Sequence, residues 1–253
     1  MPSKTFRDNK KQIAFVLLLL MLGTGALYVQ GYFDLWRRGD PLMYGDSQLK
    51  LAFDTSHAVL LSHTPEKRLS GHYTANGETV PKDDEVVLGF DIASLVAAES
   101  NVEVSGLYPG FLLSNFSGSD KDFRVAGILK KMNASADMIA FVSAKSFGEL
   151  PGKKVELKRT TNMMPKLFYY ISDSDRRIRS LPLSNGSIEN YKMEGKYYPL
   201  ILGRAEADMM IKERLISGPG DRIENLFGKQ VFITGIFNAT GTGADILHYL
   251  PEE

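Results

Sequence analysis

Residues 12–33 contain no charged side chain, and as a helix this run of 22 would extend about 33 Å, enough to cross a hydrocarbon core of about 30 Å once. Lys10 and Lys11 stand immediately before it, whereas Tyr28, Tyr32, Phe33 and Trp36 gather around its far end, where amphipathic rings favour a membrane interface. The basic end therefore stays inside. The expectation is a cell-membrane protein that crosses once, with residues 1–11 as a cytoplasmic tail, 12–33 as the transmembrane helix, 34–46 as a linker and the main domain extracytoplasmic. A cleaved signal peptide is the competing reading, because the densest apolar part, residues 13–22, is short and runs into Gly23, Thr24, Gly25 and Ala26. Thr24 and Ala26 make a poor cleavage site, and the apolar run continues through Leu27, Tyr28 and Val29.

The remainder of the chain is long enough and apolar enough to pack: the protein has 253 residues, 43% hydrophobic and 24% charged. Thirty basic residues balance thirty acidic ones, but Lys4, Arg7, Lys10 and Lys11 against Asp8 leave about +3 before the apolar run and about −3 after it. An outer part of that sign lacks the basic face that nucleic acid requires. The absence of cysteine excludes disulfides, thiolate metal sites, c-type haem attachment and a cysteine nucleophile.

Gly39, Pro41 and Gly45 among charges mark the linker. Beyond it the pattern predicts an α+β domain rich in strands, in two halves, residues 47–150 and 151–253. Short β-prone runs lie at residues 154–158 and 166–171, and polar clusters at 172–177 and 184–187 read as turns. Helical spacing marks residues 91–99 and 205–215, the latter with apolar positions at Ala205, Met209, Met210, Ile211 and Leu215.

Each helix stands at the same place in what reads as a repeated β-α-β unit. Val86-Val87-Leu88-Gly89, a helix, Phe123 through Leu129 with Gly127, then Asp137 form the first unit. Leu200-Ile201-Leu202-Gly203, a helix, Val231 through Phe237 with Gly235, then Asp245 form the second. An L-G-x-x-x-A pattern opens both helices, ending at Ala93 and Ala207, and each strand glycine precedes its aspartate by ten positions. Gly127 and Gly235 interrupt apolar strands, as at a bulge or a close backbone approach. Asp137 and Asp245 come after small polar residues, where a short carboxylate closes a turn by accepting from local N–H groups.

The second unit, with Gly220-Asp221, the V-F-I-T-G-I-F strand, Asp245 and Pro251, resembles the extracytoplasmic (periplasmic) core domain of MacB and FtsX type ABC-transporter permeases. The resemblance spans residues 86–140 and 200–251. The first unit shares Asp137 but has Gly106 to Gly110 where the G-D turn would stand. No G-x-x-x-x-G-K-[ST] motif occurs and the sequence has no further apolar run long enough to span, so the chain lacks the permease helices. The resemblance implies a module that contacts other membrane or envelope proteins.

Chemistry is sparse by comparison. His57, His63, His72 and His248 lack the spacing that aims two imidazoles at one ion, and are expected at the surface or partly packed. No G-x-S-x-G elbow is present. Thr240-Gly241-Thr242-Gly243 reads as a tight turn between strands without the helix N-terminus that would hold an anion. Met209-Met210 falls on the presumed core face of its helix. Sequons at Asn115, Asn133, Asn185 and Asn238 permit N-glycosylation. No catalytic, metal or cofactor residue is assigned. The expectation is a non-enzymatic binding or assembly subunit of a larger envelope complex, with a role accessory to a transporter among its options; an anchored hydrolase with its site scattered over loops, or a secreted binding protein after cleavage, are the alternatives.

Overall fold

Alternation of buried and solvent-facing residues builds the first hairpin: Leu49 and Leu51 of β1 (Gln48–Phe53) turn inward, and β2 (Ala58–His63) is buried along most of its length. The computed structural model describes residues 47–53, 57–63, 81–160, 163–188 and 191–252. The expected tail, transmembrane helix and linker, residues 1–46, lie outside the described residues, as does His72. Among the described residues no helix is long and apolar enough to cross a membrane.

The fold is a sheet-rich α+β arrangement with few helices. After the hairpin come β3 (Glu85–Leu88), α1 (Phe90–Glu99), β4 (Leu112–Leu113), β5 (Phe123–Ile128), β6 (Ala140–Val142) and α2 (Ala144–Glu149). The second half comprises β7 (Lys153–Thr160), β8 (Met163–Ile171), α3 (Arg176–Arg179), β9 (Leu183–Gly186), β10 (Tyr198–Leu202), α4 (Arg204–Lys212), β11 (Arg222–Leu226), β12 (Lys229–Phe237) and β13 (Leu247–Pro251). Thirteen strands share one mixed sheet in the order β11-β12-β10-β13-β8-β7-β1-β2-β6-β3-β5-β4, with β9 added alongside β12.

That order matches itself when read from either end. Hairpin β1–β2 has its counterpart in β7–β8; β2 runs parallel to β6 as β8 does to β13; β3 pairs antiparallel with β6 and parallel with β5, as β10 does with β13 and β12; β4 and β11 close the two edges. The halves meet where β1 and β7 pair antiparallel, with Leu49 opposite Val155. One apolar cluster, including Leu60, Phe141, Leu167, Tyr169, Ile201 and Tyr249, draws on both halves. Two others flank it, one around Leu61, Phe123 and Ile128, the other around Phe168, Leu200 and Ile233.

Helices α1 and α4 both start against a 3-10 turn. Gly89 N donates to Ile139 O at 2.8 Å and Gly203 N to Leu247 O at 2.9 Å. A Cβ on Gly89 would stand 2.2 Å from the Ala136 carbonyl oxygen, and one on Gly203 2.4 Å from that of Ala244, so only glycine allows this approach. Register shifts in the parallel pairs β3–β5 and β10–β12 fall where Gly127 meets Val87 and Gly235 meets Ile201.

Three expectations require correction. Residues 184–187 do not form a turn: most of them belong to β9, because Leu183 pairs with Phe237 and Gly186 with Gly235, a ladder that outweighs the Ser/Asn/Gly composition. The helix expected over 205–215 ends at Lys212, with Ile211 and Leu215 exposed and Met209 half-buried. Its inward face is Glu206, Ala207 and Met210. The Thr240 to Gly243 run leads into a 3-10 turn, Gly243–Ile246, before β13.

Candidate functional site

The aspartates of the sequence pattern do close turns, from buried positions. Asp137 accepts from the amides of Met132 and Ala134; Asp245 accepts from the amides of Thr240 and Gly241 and from the Thr240 hydroxyl, at 2.7–3.0 Å. Burial raises the Asp137 carboxyl above the usual carboxylate range, against the lowering effect of those two amides. Because Asp245 already holds the amides of the Thr240 run, they are not available to an anion. The G-D turn also has its counterpart: Gly220 N donates to Ile233 O at 2.7 Å, and Gly110 N to Val125 O at 3.0 Å, both glycines at positive φ. Gly89, Gly127, Asp137, Gly203, Gly235 and Asp245 thus serve backbone contacts and turns of the framework. Asn115, Asn133, Asn185 and Asn238 are all exposed.

A polar cluster that the pattern did not reveal lies inside the second half. Lys166 of β8, Glu206 of α4 and His248 of β13 are 8%, 5% and 0% exposed. Lys166 Nζ donates to Glu206 Oε1 at 2.6 Å. His248 Nε2 stands 3.3 Å from the same oxygen, off the line a hydrogen bond needs, and neither imidazole nitrogen has a hydrogen-bond partner. Its ring lies 4.9 Å from that of Phe168, centroid to centroid. Burial is the main cause that lowers the His248 pKa to about 4; Lys166 adds to the lowering, and Glu206 and the Leu167 backbone oppose it. The imidazole is therefore neutral at pH 7, while lysine and glutamate neutralise one another. His248, expected at the surface or partly packed, is the most enclosed of the described histidines.

The corresponding place in the first half contains no polar side chain. By strand register and helix position, Val59, Ile92 and Ala140 stand there, all buried and in one apolar cluster. The fold does not need charge at this position. Residue type hid the cluster, since Lys and Glu are rarely buried unless paired, and the pair spans 40 residues of sequence.

The other feature is a cleft of about 300 Å³ between α1 and the segment around β4. Ile92, Val59, Leu113 and Phe116 give it a buried apolar wall, and Leu112 stands at it 55% exposed. His57 Nε2 lies 3.0 Å from Glu99 Oε1 at the same cleft. Hollows of about 450 and 490 Å³ elsewhere are lined by charged chains such as Lys50, Lys154 and Glu156, or Lys153, Lys229 and Glu252. Among the described residues no group of three His, Asp or Glu side chains is placed to hold a metal ion. Comparison of the chain with protein-family models, with curated proteins and with solved structures finds no match.

Proposed function

We propose that the chain is a single-pass membrane protein whose extracytoplasmic domain, a tandem duplication of one β-α-β unit, binds and helps to assemble other membrane or envelope proteins, in the manner of an accessory subunit of a transporter. The uncharged run at residues 12–33 supports the tether. Strand-for-strand correspondence of the pairings supports the duplication. The binding role rests chiefly on the cleft beside α1, where the exposed Leu112 edges a hollow with a buried apolar wall, a seat for one or two apolar side chains of a partner.

Affinity purification of the full-length protein in mild detergent tests this reading. A stable membrane partner is expected with the wild type and is lost with Leu112→Glu; recovery of the wild type as a lone monomer would end the assembly role. Mass spectrometry of the native N-terminus tests the tether separately: a mature chain beginning near Leu27 would make it a secreted binding protein instead.

A further inference from the structure

We propose that the second half carries an acid-operated latch: proton uptake at His248 loosens α4 from β8 and β13, while the first half keeps its packing. This holds whichever side of a membrane the domain faces.

The geometry leaves an incoming proton poorly answered. A protonated His248 would find one facing carboxylate, Glu206 on α4, whose Oε1 already accepts from Lys166 at 2.6 Å. Two cations would then share one acceptor in a space closed to water, and a buried charge without full compensation is strongly unfavourable. Beyond the Leu167 backbone of β8, which favours the charged ring, the other elements supply little relief. On β7, Lys158 Nζ lies 5.1 Å from the Phe168 ring but is already paired with Glu156 at 3.5 Å; on β10, His248 pairs with the apolar Leu202. β8 and β13 are tied together by a parallel ladder from Leu167 to Ile171, whereas α4 is held by side-chain packing at Ala207 and Met210 and by the glycine contact at its start. The helix is the piece able to give way.

The direction of the effect is set by linkage. A histidine whose folded pKa lies near 4 and whose unfolded value is near 6.5 contributes stability that is complete above about pH 6.5 and declines as pH falls towards 4, because the unfolded chain takes up the proton first. At pH 4 the open form gains roughly a hundredfold over its share at neutral pH. In the first half the matching place is filled by Val59, Ile92 and Ala140, none of which can take up a proton. Asp137, in the turn that α1 starts against, has its carboxyl raised by burial, so acid favours that region.

Hydrogen exchange of the full-length protein in mild detergent, expressed as protection factors, tests the latch at pH 6.5 and pH 4. Protection across α4 is expected to fall by roughly a hundredfold and that of α1 to hold. His248→Gln, which is polar but does not titrate in this range, is expected to abolish the α4 response; so is Lys166→Val/Glu206→Ile/His248→Ala where it folds. Equal loss in α1 and α4, no loss in α4, or an acid response that survives in His248→Gln would overturn the proposal.

Discussion

Breaking the buried pair on one side and then removing it altogether separates two effects that the wild type combines. Glu206→Ile leaves the Lys166 ammonium, 8% exposed, without the carboxylate it meets at 2.6 Å. Loss of one partner from such a pair destabilises by about 3–5 kcal/mol, because an uncompensated charge stays buried. Lys166→Val/Glu206→Ile/His248→Ala instead installs the side chains that fill the matching place in the first half. Replacement of a buried ion pair by packed apolar groups is neutral or stabilising by about 1–4 kcal/mol. The smaller combined volume leaves a cavity that opposes this by about 1–2 kcal/mol. The triple variant should therefore lie between about 2 kcal/mol below and about 3 kcal/mol above wild type, and recover about 4–5 kcal/mol relative to Glu206→Ile. Urea unfolding of the full-length protein in mild detergent at pH 7, monitored by intrinsic fluorescence, measures both differences. A Glu206→Ile variant as stable as wild type, or a triple variant no more stable than the single one, would refute the reasoning.

Gly203→Ala places a Cβ 2.4 Å from the Ala244 carbonyl oxygen, a backbone atom that cannot swing aside, and should destabilise by about 2–3 kcal/mol, a drop of about 4–12 °C in Tm; an unchanged melting curve would mean the helix start is not pinned there. Gly235→Val crowds the Leu183 side chain, 3.1 Å from an ideal Cβ, and the Asn185 carbonyl oxygen at 3.3 Å, so β9 should be pushed from β12 at a cost of about 1–3 kcal/mol; unaltered exchange of the β9 amides would contradict this.

Legibility in the sequence tracked the range of the interaction. Helix starts at Gly89 and Gly203, strand glycines at 127 and 235 and the turn-closing roles of Asp137 and Asp245 could be read, because each rests on partners within a few residues or on a fixed spacing. The inward face of α4 was misread because residue type overrode geometry: Ile211 and Leu215 look like core yet are exposed, while Glu206 is buried by a lysine on a distant strand. His248 has no local cue at all, since what encloses it is Phe168, Glu206 and Lys166 from two other elements. β9 was lost to its turn-like composition, its only argument being the ladder with β12. The cleft beside α1 depends on how β4 packs near Thr242 of the other half, and no pattern within one segment encodes that.

The junction at Leu49 and Val155 has a further consequence. Under the proposed duplication these two residues occupy the same place in their halves, so the antiparallel joint is the self-complementary contact of a two-fold dimer, made once within a single polypeptide. In a true homodimer every substitution arrives twice, and a lysine, glutamate or imidazole introduced into the interior is suffered on both sides at once. Covalent fusion lifts that symmetry. One copy can retain the plain apolar filling that keeps the sheet folded while the other accumulates ionisable groups, which is the difference between Val59, Ile92, Ala140 and Lys166, Glu206, His248.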